Sequence, residues 1–169
     1  MKNITTIIAA LVLTTLSINT FAQNSDAATA NASARIITKI TVAKDVDLNF
    51  GTIAQTVTGG NVILSASSNE ATYTNPSSVI LSSEETRAHF NVTGEADATY
   101  GITLPTEVSI TRAEGSETMT VTDFVTASLT GNTLTNGNGA FYVGATLEVG
   151  ANQVAGQYNG TFPVTVTYE

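Results

Sequence analysis

The chain closes on Gly156-Gln-Tyr-Asn-Gly-Thr-Phe-Pro-Val-Thr-Val-Thr-Tyr168-Glu169, and the reading of this stretch decides the fold. Every second residue gives the set Gly156, Tyr158, Gly160, Phe162, Val164, Val166 and Tyr168. The residues between them are Gln157, Asn159, Thr161, Pro163, Thr165 and Thr167. Successive side chains of a β-strand point to opposite faces, so this period of two predicts a strand with one buried face. The run extends back to Val154, which predicts one strand over 154–168. Pro163 has no N–H to give a ladder, which places it at an edge or a bulge.

Outward from this ending the same signal recurs in short runs. Arg35–Val42, Val46–Ile53, Asn61–Ala66, Val79–Leu81 and Arg87–Thr93 read as strands. So do Ala98–Leu104, Glu107–Thr111, Thr118–Leu129 with a bend near Asp123, and Phe141–Val149. They are rich in β-branched residues, and Gly, Asn and Ser clusters separate them. Asn136-Gly137-Asn138-Gly139 is the strongest turn signal, because Asn and Gly tolerate positive φ. No window after the N-terminal segment carries the spacing of an amphipathic helix. Many short strands with regular turns predict an all-β protein, a single antiparallel β-sandwich of immunoglobulin-like or pilin-like form, with a closed barrel as the alternative.

The N-terminus reads as an address. Lys2 precedes an apolar run from Ile4 to Leu16, and Ala22 supplies a small residue for cleavage. This predicts a secretory signal peptide over residues 1–22, with no membrane span left after its removal. The expected location is the periplasm, the cell surface or the medium. A flexible Ala-rich arm follows over residues 23–34, and the sandwich domain occupies 35–169. In the arm Ala28, Ala30, Ala32 and Ala34 fall in phase with Ile36, the pattern of a strand that could be donated to another sheet.

Composition removes several classes of function. The 169 residues contain no cysteine, which excludes thiol catalysis and leaves the fold without disulfides. The net charge is −8 at pH 7, and losing Lys2 makes the remainder one unit more negative. Nucleic acid is not an expected partner, because phosphate backbones require basic patches.

The chemistry of a catalyst is equally thin. His89 is the single histidine and lies in a strand-like run. No nucleophile elbow, zinc helix or phosphate loop is present. The carboxylate pairs Glu84/Glu85 and Glu95/Asp97 have few aromatic sugar platforms to work beside in a chain without Trp, and core packing explains Tyr73, Tyr100, Phe141 and Tyr142 as well as a stacking patch does. The expectation is a non-enzyme without cofactor or metal. Loops at Gly131-Asn132 and Asn136–Gly139 lack the spacing of a calcium loop.

Three pieces together resemble a bacterial secreted family known as domain-of-unknown-function family 4402. They are the Ala-rich leader into Asp47-Leu-Asn-Phe-Gly-Thr-Ile53, the segment Gly139-Ala-Phe-Tyr-Val-Gly-Ala-Thr-Leu147, and the ending from Gly156 to Tyr168. That resemblance implies a neighbourhood and no activity.

The ending also resembles that of subunits assembled by periplasmic chaperones and outer-membrane ushers. Those close with a glycine fourteenth from the end and a penultimate aromatic, the places of Gly156 and Tyr168. The resemblance implies an exported, fimbrial-subunit-like structural or surface protein that assembles by β-strand addition. Its groove would involve Gly156, Tyr158, Phe162, Val164, Val166 and Tyr168, with room for an incoming side chain at Gly156. The implied partners are a second copy or a periplasmic chaperone. The chain departs from many such subunits in lacking a disulfide and in carrying Pro163. The alternative is a monomeric carbohydrate- or protein-binding sandwich that uses loops such as Thr133–Tyr142, with Phe141 and Tyr142 at the ligand.

Overall fold

The computed structural model describes residues 25–73 and 84–169. The expected signal peptide and the run Val79–Leu81 lie outside them. The chain divides into two units, one ending at Arg35 and one spanning Ile36–Glu169. In the first unit the described residues 25–35 are exposed and form no strand.

The second unit is all-β. Its strands are β1 (Thr41–Val46), β2 (Gly60–Leu64), β3 (Ala71–Tyr73), β4 (Ala88–Thr93), β5 (Tyr100–Thr103), β6 (Glu107–Arg112), β7 (Thr118–Ser128), β8 (Asn138–Val149), β9 (Tyr158–Asn159) and β10 (Thr165–Tyr168). Every strand pairing among the described residues is antiparallel. The large sheet runs β1-β4-β8-β7-β6-β9, with β2 joining β8 and β3 joining β2. A second, small sheet contains β5 and β10.

β8 is the axis of the fold. One of its edges pairs with β7 along most of its length. The other edge is shared, with Ala88–Thr93 on Asn138–Val143 and Gly60–Leu64 on Ala145–Val149. The hand-over falls at Gly144, where a Cβ would sit on the Leu64 carbonyl and 2.5 Å from Ala66 N. Only glycine lets the two strands converge that closely on β8. The expected bend near Asp123 is present, with φ 48° at Asp123 and a register break between Thr122 and Val125. The Asn136-Gly137 turn has positive φ at both residues, and Asn138 N donates to Thr135 O at 3.1 Å.

Three strand expectations need correction. The first strand begins at Thr41 and not at Arg35, because its partner β4 ends at Thr93, opposite Thr41. Earlier residues have no ladder to join, and Ile36 is 96 % exposed. Residues 47–53 carry no extended strand either. After a bulge at Asp45 the chain leaves β4 and keeps the reciprocal bridge of Asn49 with Thr86. The closing run is two short strands with Gly160–Val164 between them in none. Pro163 breaks the donor series, and Gly160 lies so close to β6 that a Cβ would be 2.7 Å from Ile110 Cγ2.

Two buried clusters lie against the inner face of the large sheet. One holds Phe50, Val62, Leu64, Val121, Ala145, Leu147 and Val149. The other holds Ala88, Phe90, Val92, Tyr100, Leu134, Phe141 and Val143. Leu48 and Phe124 pack against both. Each fully buried Leu, Val or Phe contributes about 1.5–3 kcal/mol relative to exposure, so these alternating inward residues hold a core that lacks covalent staples.

Candidate functional site

The two clusters are covered differently. Over the second lies the small sheet, with Ile102, Leu104, Val164, Val166 and Tyr168 packed onto it. Over the first lies a groove of about 1090 Å³. Its floor is Val108, Ile110, Met119, Val121, Leu147 and Val149, the inward side chains of β6, β7 and β8. One wall is the segment 47–55 and the other is 153–162. Phe162 closes the end nearest the small sheet, with its ring centroid 5.1 Å from Phe124 and 6.3 Å from Phe90.

The backbone of the wall strand is as informative as its side chains. Glu169 N donates to Thr99 O, which makes that a hydrogen-bonded antiparallel pair. Such pairs alternate along a ladder, so Thr167 and Thr165 bond to β5 while Val166 and Tyr168 turn their backbone groups away from it. In β9 the same parity holds. Ala113 N donates to Gln157 O, Asn159 bonds to β6, and the Tyr158 backbone faces away. Among the described residues no backbone hydrogen bond reaches the N–H or C=O of Tyr158, Val166 or Tyr168, nor those of Gly160–Val164. In β9 and β10 alike, the residues whose side chains enter the core leave one backbone edge unpaired.

Each of the expected groove residues has a definite place. Phe162, Val164, Val166 and Tyr168 are half-buried and alternate with exposed neighbours, as the sequence implies. Phe162 and Tyr158 line the open groove, whereas Val164, Val166 and Tyr168 belong to the closed half. The Tyr158 hydroxyl donates to Val154 O at 2.7 Å and accepts from Gln153 Nε2 at 2.8 Å, which folds the ring along its own wall.

Gly156 has φ +149°, and a Cβ there would be 2.9 Å from Arg112 Cδ. The space beside this glycine is therefore taken by Arg112 of the same chain. Arg112 is held in turn by Glu117, with Nε 2.6 Å from Oε2. That hydrogen bond is the main cause that lowers the Glu117 carboxyl below its ordinary range and raises the guanidinium.

Tyr168 acts as a latch at the far end. Its hydroxyl donates to Thr38 O at 2.7 Å and accepts from Glu95 N at 2.6 Å. The ring tip fits over Gly94, where any Cβ would collide with the hydroxyl. Thr38 N also donates to Glu95 Oε2 at 3.1 Å. Nothing local in the sequence marks Gly94 for this role, because the hydroxyl it accommodates comes from the far end of the chain. The proposed arm residues Ala28, Ala30, Ala32, Ala34 and Ile36 are exposed.

Other chemistry-bearing residues are dispersed. His89 lies on the outer sheet face, with Nδ1 2.9 Å from Asp45 Oδ2 and its ring 4.7 Å from that of Tyr142. Arg87 lies over the same Tyr142 ring at 3.5 Å. Phe141 is fully buried in the closed half, so of the pair proposed for ligand contact only Tyr142 meets solvent. Among the described residues no three His, Cys, Asp or Glu side chains form a metal-holding group. No helix among them is long and apolar enough to cross a membrane.

Comparison with known proteins gives a family match. Residues 40–168 fit the family model described as "Domain of unknown function (DUF4402)". No curated protein and no solved structure matches the chain.

Proposed function

The chain belongs to the DUF4402 family, whose description assigns no activity, and we propose that it is an exported, non-enzymatic structural or surface protein that accepts a β-strand from a neighbour. The observation that carries this reading is the groove over β6, β7 and β8, bounded by a wall strand with an unpaired backbone edge. An incoming strand would offer two complementary gains. Its amides and carbonyls would satisfy the edge, and its inward side chains would cover the apolar floor. This is β-augmentation with the side-chain pockets already built. Covering such a floor matters, because each Å² of apolar surface removed from water contributes about 25 cal/mol.

The fimbrial-subunit-like ending fits the same picture. Tyr168 anchors the closed half, and Phe162 marks where the open half begins. The test is electrophoresis of the exported protein in denaturing gel without heating. A heat-labile ladder or a discrete heat-labile complex supports strand uptake. A strictly monomeric species whose Tyr158 and Val166 amides are already protected from exchange contradicts it.

A further inference from the structure

The groove and the chain's own N-terminal arm do not match in size, and from this mismatch we infer that the strand it takes comes from a different protein and carries large apolar side chains. This inference rests on the strand-accepting reading above and names the occupant. The groove holds about 1090 Å³ between the floor of Ile110, Met119, Val121 and Leu147 and the walls at Phe50 and Phe162. A strand laid along it must reach that floor with every second side chain.

The arm offers Ala28, Ala30, Ala32 and Ala34 at those positions. Each presents a single methyl group, so the space beneath would stay empty, and residual cavity costs about 24 cal/mol per Å³. The first large apolar residues of the arm are Ile36 and Ile37, 96 % and 46 % exposed. They lie next to Thr38, whose N–H and C=O are both held, by Glu95 and Tyr168. An arm reaching into another copy therefore spends its alanines on the groove and leaves its isoleucines at the donor.

Charge narrows the occupant further. Among the described residues, the charged groups lining the groove are Lys44 and Asp47, which pair with each other at the rim. A charge buried without a partner is expensive, so the inward positions of the guest strand are uncharged. The chemistry that fits is an extended segment alternating Val, Ile, Leu or Phe inward with polar residues outward.

The experiment uses two labelled synthetic peptides and the full chain in fluorescence polarisation. One peptide alternates Leu, Val and Phe with Thr, and the other copies residues 25–37. The expected result is binding of the large-side-chain peptide at least about tenfold tighter than the arm peptide, a difference of about 1.4 kcal/mol. Met119→Lys and, independently, Val108→Glu should each abolish that binding while circular dichroism stays β-like. Equal or tighter binding of the arm peptide overturns this inference and leaves the strand-accepting groove standing. If neither peptide binds, the strand-accepting reading itself falls. Displacement of the bound peptide by a long-chain fatty acid, with no gain of amide protection from the peptide, marks a lipid pocket and overturns both.

Discussion

The two halves of the core sit on one continuous sheet, yet only one of them has a second layer. Over Val92, Phe141 and Val143 the small sheet of β5 and β10 completes a sandwich, and all three side chains are fully buried. Over Leu147 and Val121 the corresponding layer is two irregular segments with a groove between them. The residue types facing inward are equally apolar in both halves. What differs is backbone: across from the sheet the closed half has the β5–β10 strand pair, and the open half has only the segments 47–55 and 153–162, which do not pair with each other. Apolar floors can thus be present in a sequence without the strand that would cover them.

Substitutions can break or sharpen this contrast, and the largest effect belongs to the closed half. Phe141→Ala should cost about 3–5 kcal/mol in urea denaturation, since a fully buried ring leaves a cavity against Phe90. Gly144→Ala should follow at about 1–3 kcal/mol, because the added methyl meets the backbone of β2 where both halves join. Tyr168→Phe removes two hydrogen bonds of the latch and should cost about 1–2 kcal/mol, with faster exchange at the Glu95 amide. Met119→Ala, on the groove floor, should fall below the roughly 2 kcal/mol that begins the range for buried methionines, because the groove already exposes this side chain. A cost as large as that of Phe141→Ala would mean the groove is closed in solution.

The smallest effect tests the wall at Gly156. The Arg112 guanidinium holds the Glu117 carboxyl below its ordinary range. A carboxyl with a depressed folded-state pKa contributes stability above its unfolded value and loses it as pH falls through the folded one. The urea midpoints of the wild type and Glu117→Gln should therefore differ slightly at neutral pH and converge in acid. Added salt should shrink the neutral-pH difference, because the pair is partly exposed to solvent.

Much of the closed half was legible in the sequence, and the reasons are local. Alternation from Phe162 to Tyr168 placed the inward set correctly, and Asn136-Gly137 and the Asp123 bend were visible from backbone preferences. The open half was less legible. Leu48 and Phe50 alternate like strand residues, but their segment has no continuous ladder, and pairing is a long-range property that a local pattern does not encode. The break at Gly160–Val164 was signalled by Pro163, yet the close approach of Gly160 to Ile110 depends on where β6 lies. Gly94 and Gly144 matter for the same reason, since each receives an atom from a distant part of the chain.

The most direct test of the unpaired edge is residue-resolved amide hydrogen exchange along the closing strand of the free protein. Asn159, Thr165 and Thr167 should be slow, bonded to β6 and β5, while Tyr158, Val166 and Tyr168 should exchange fast. Uniform protection of all six amides would mean that a strand already covers the edge, and the account of an open acceptor groove would be wrong.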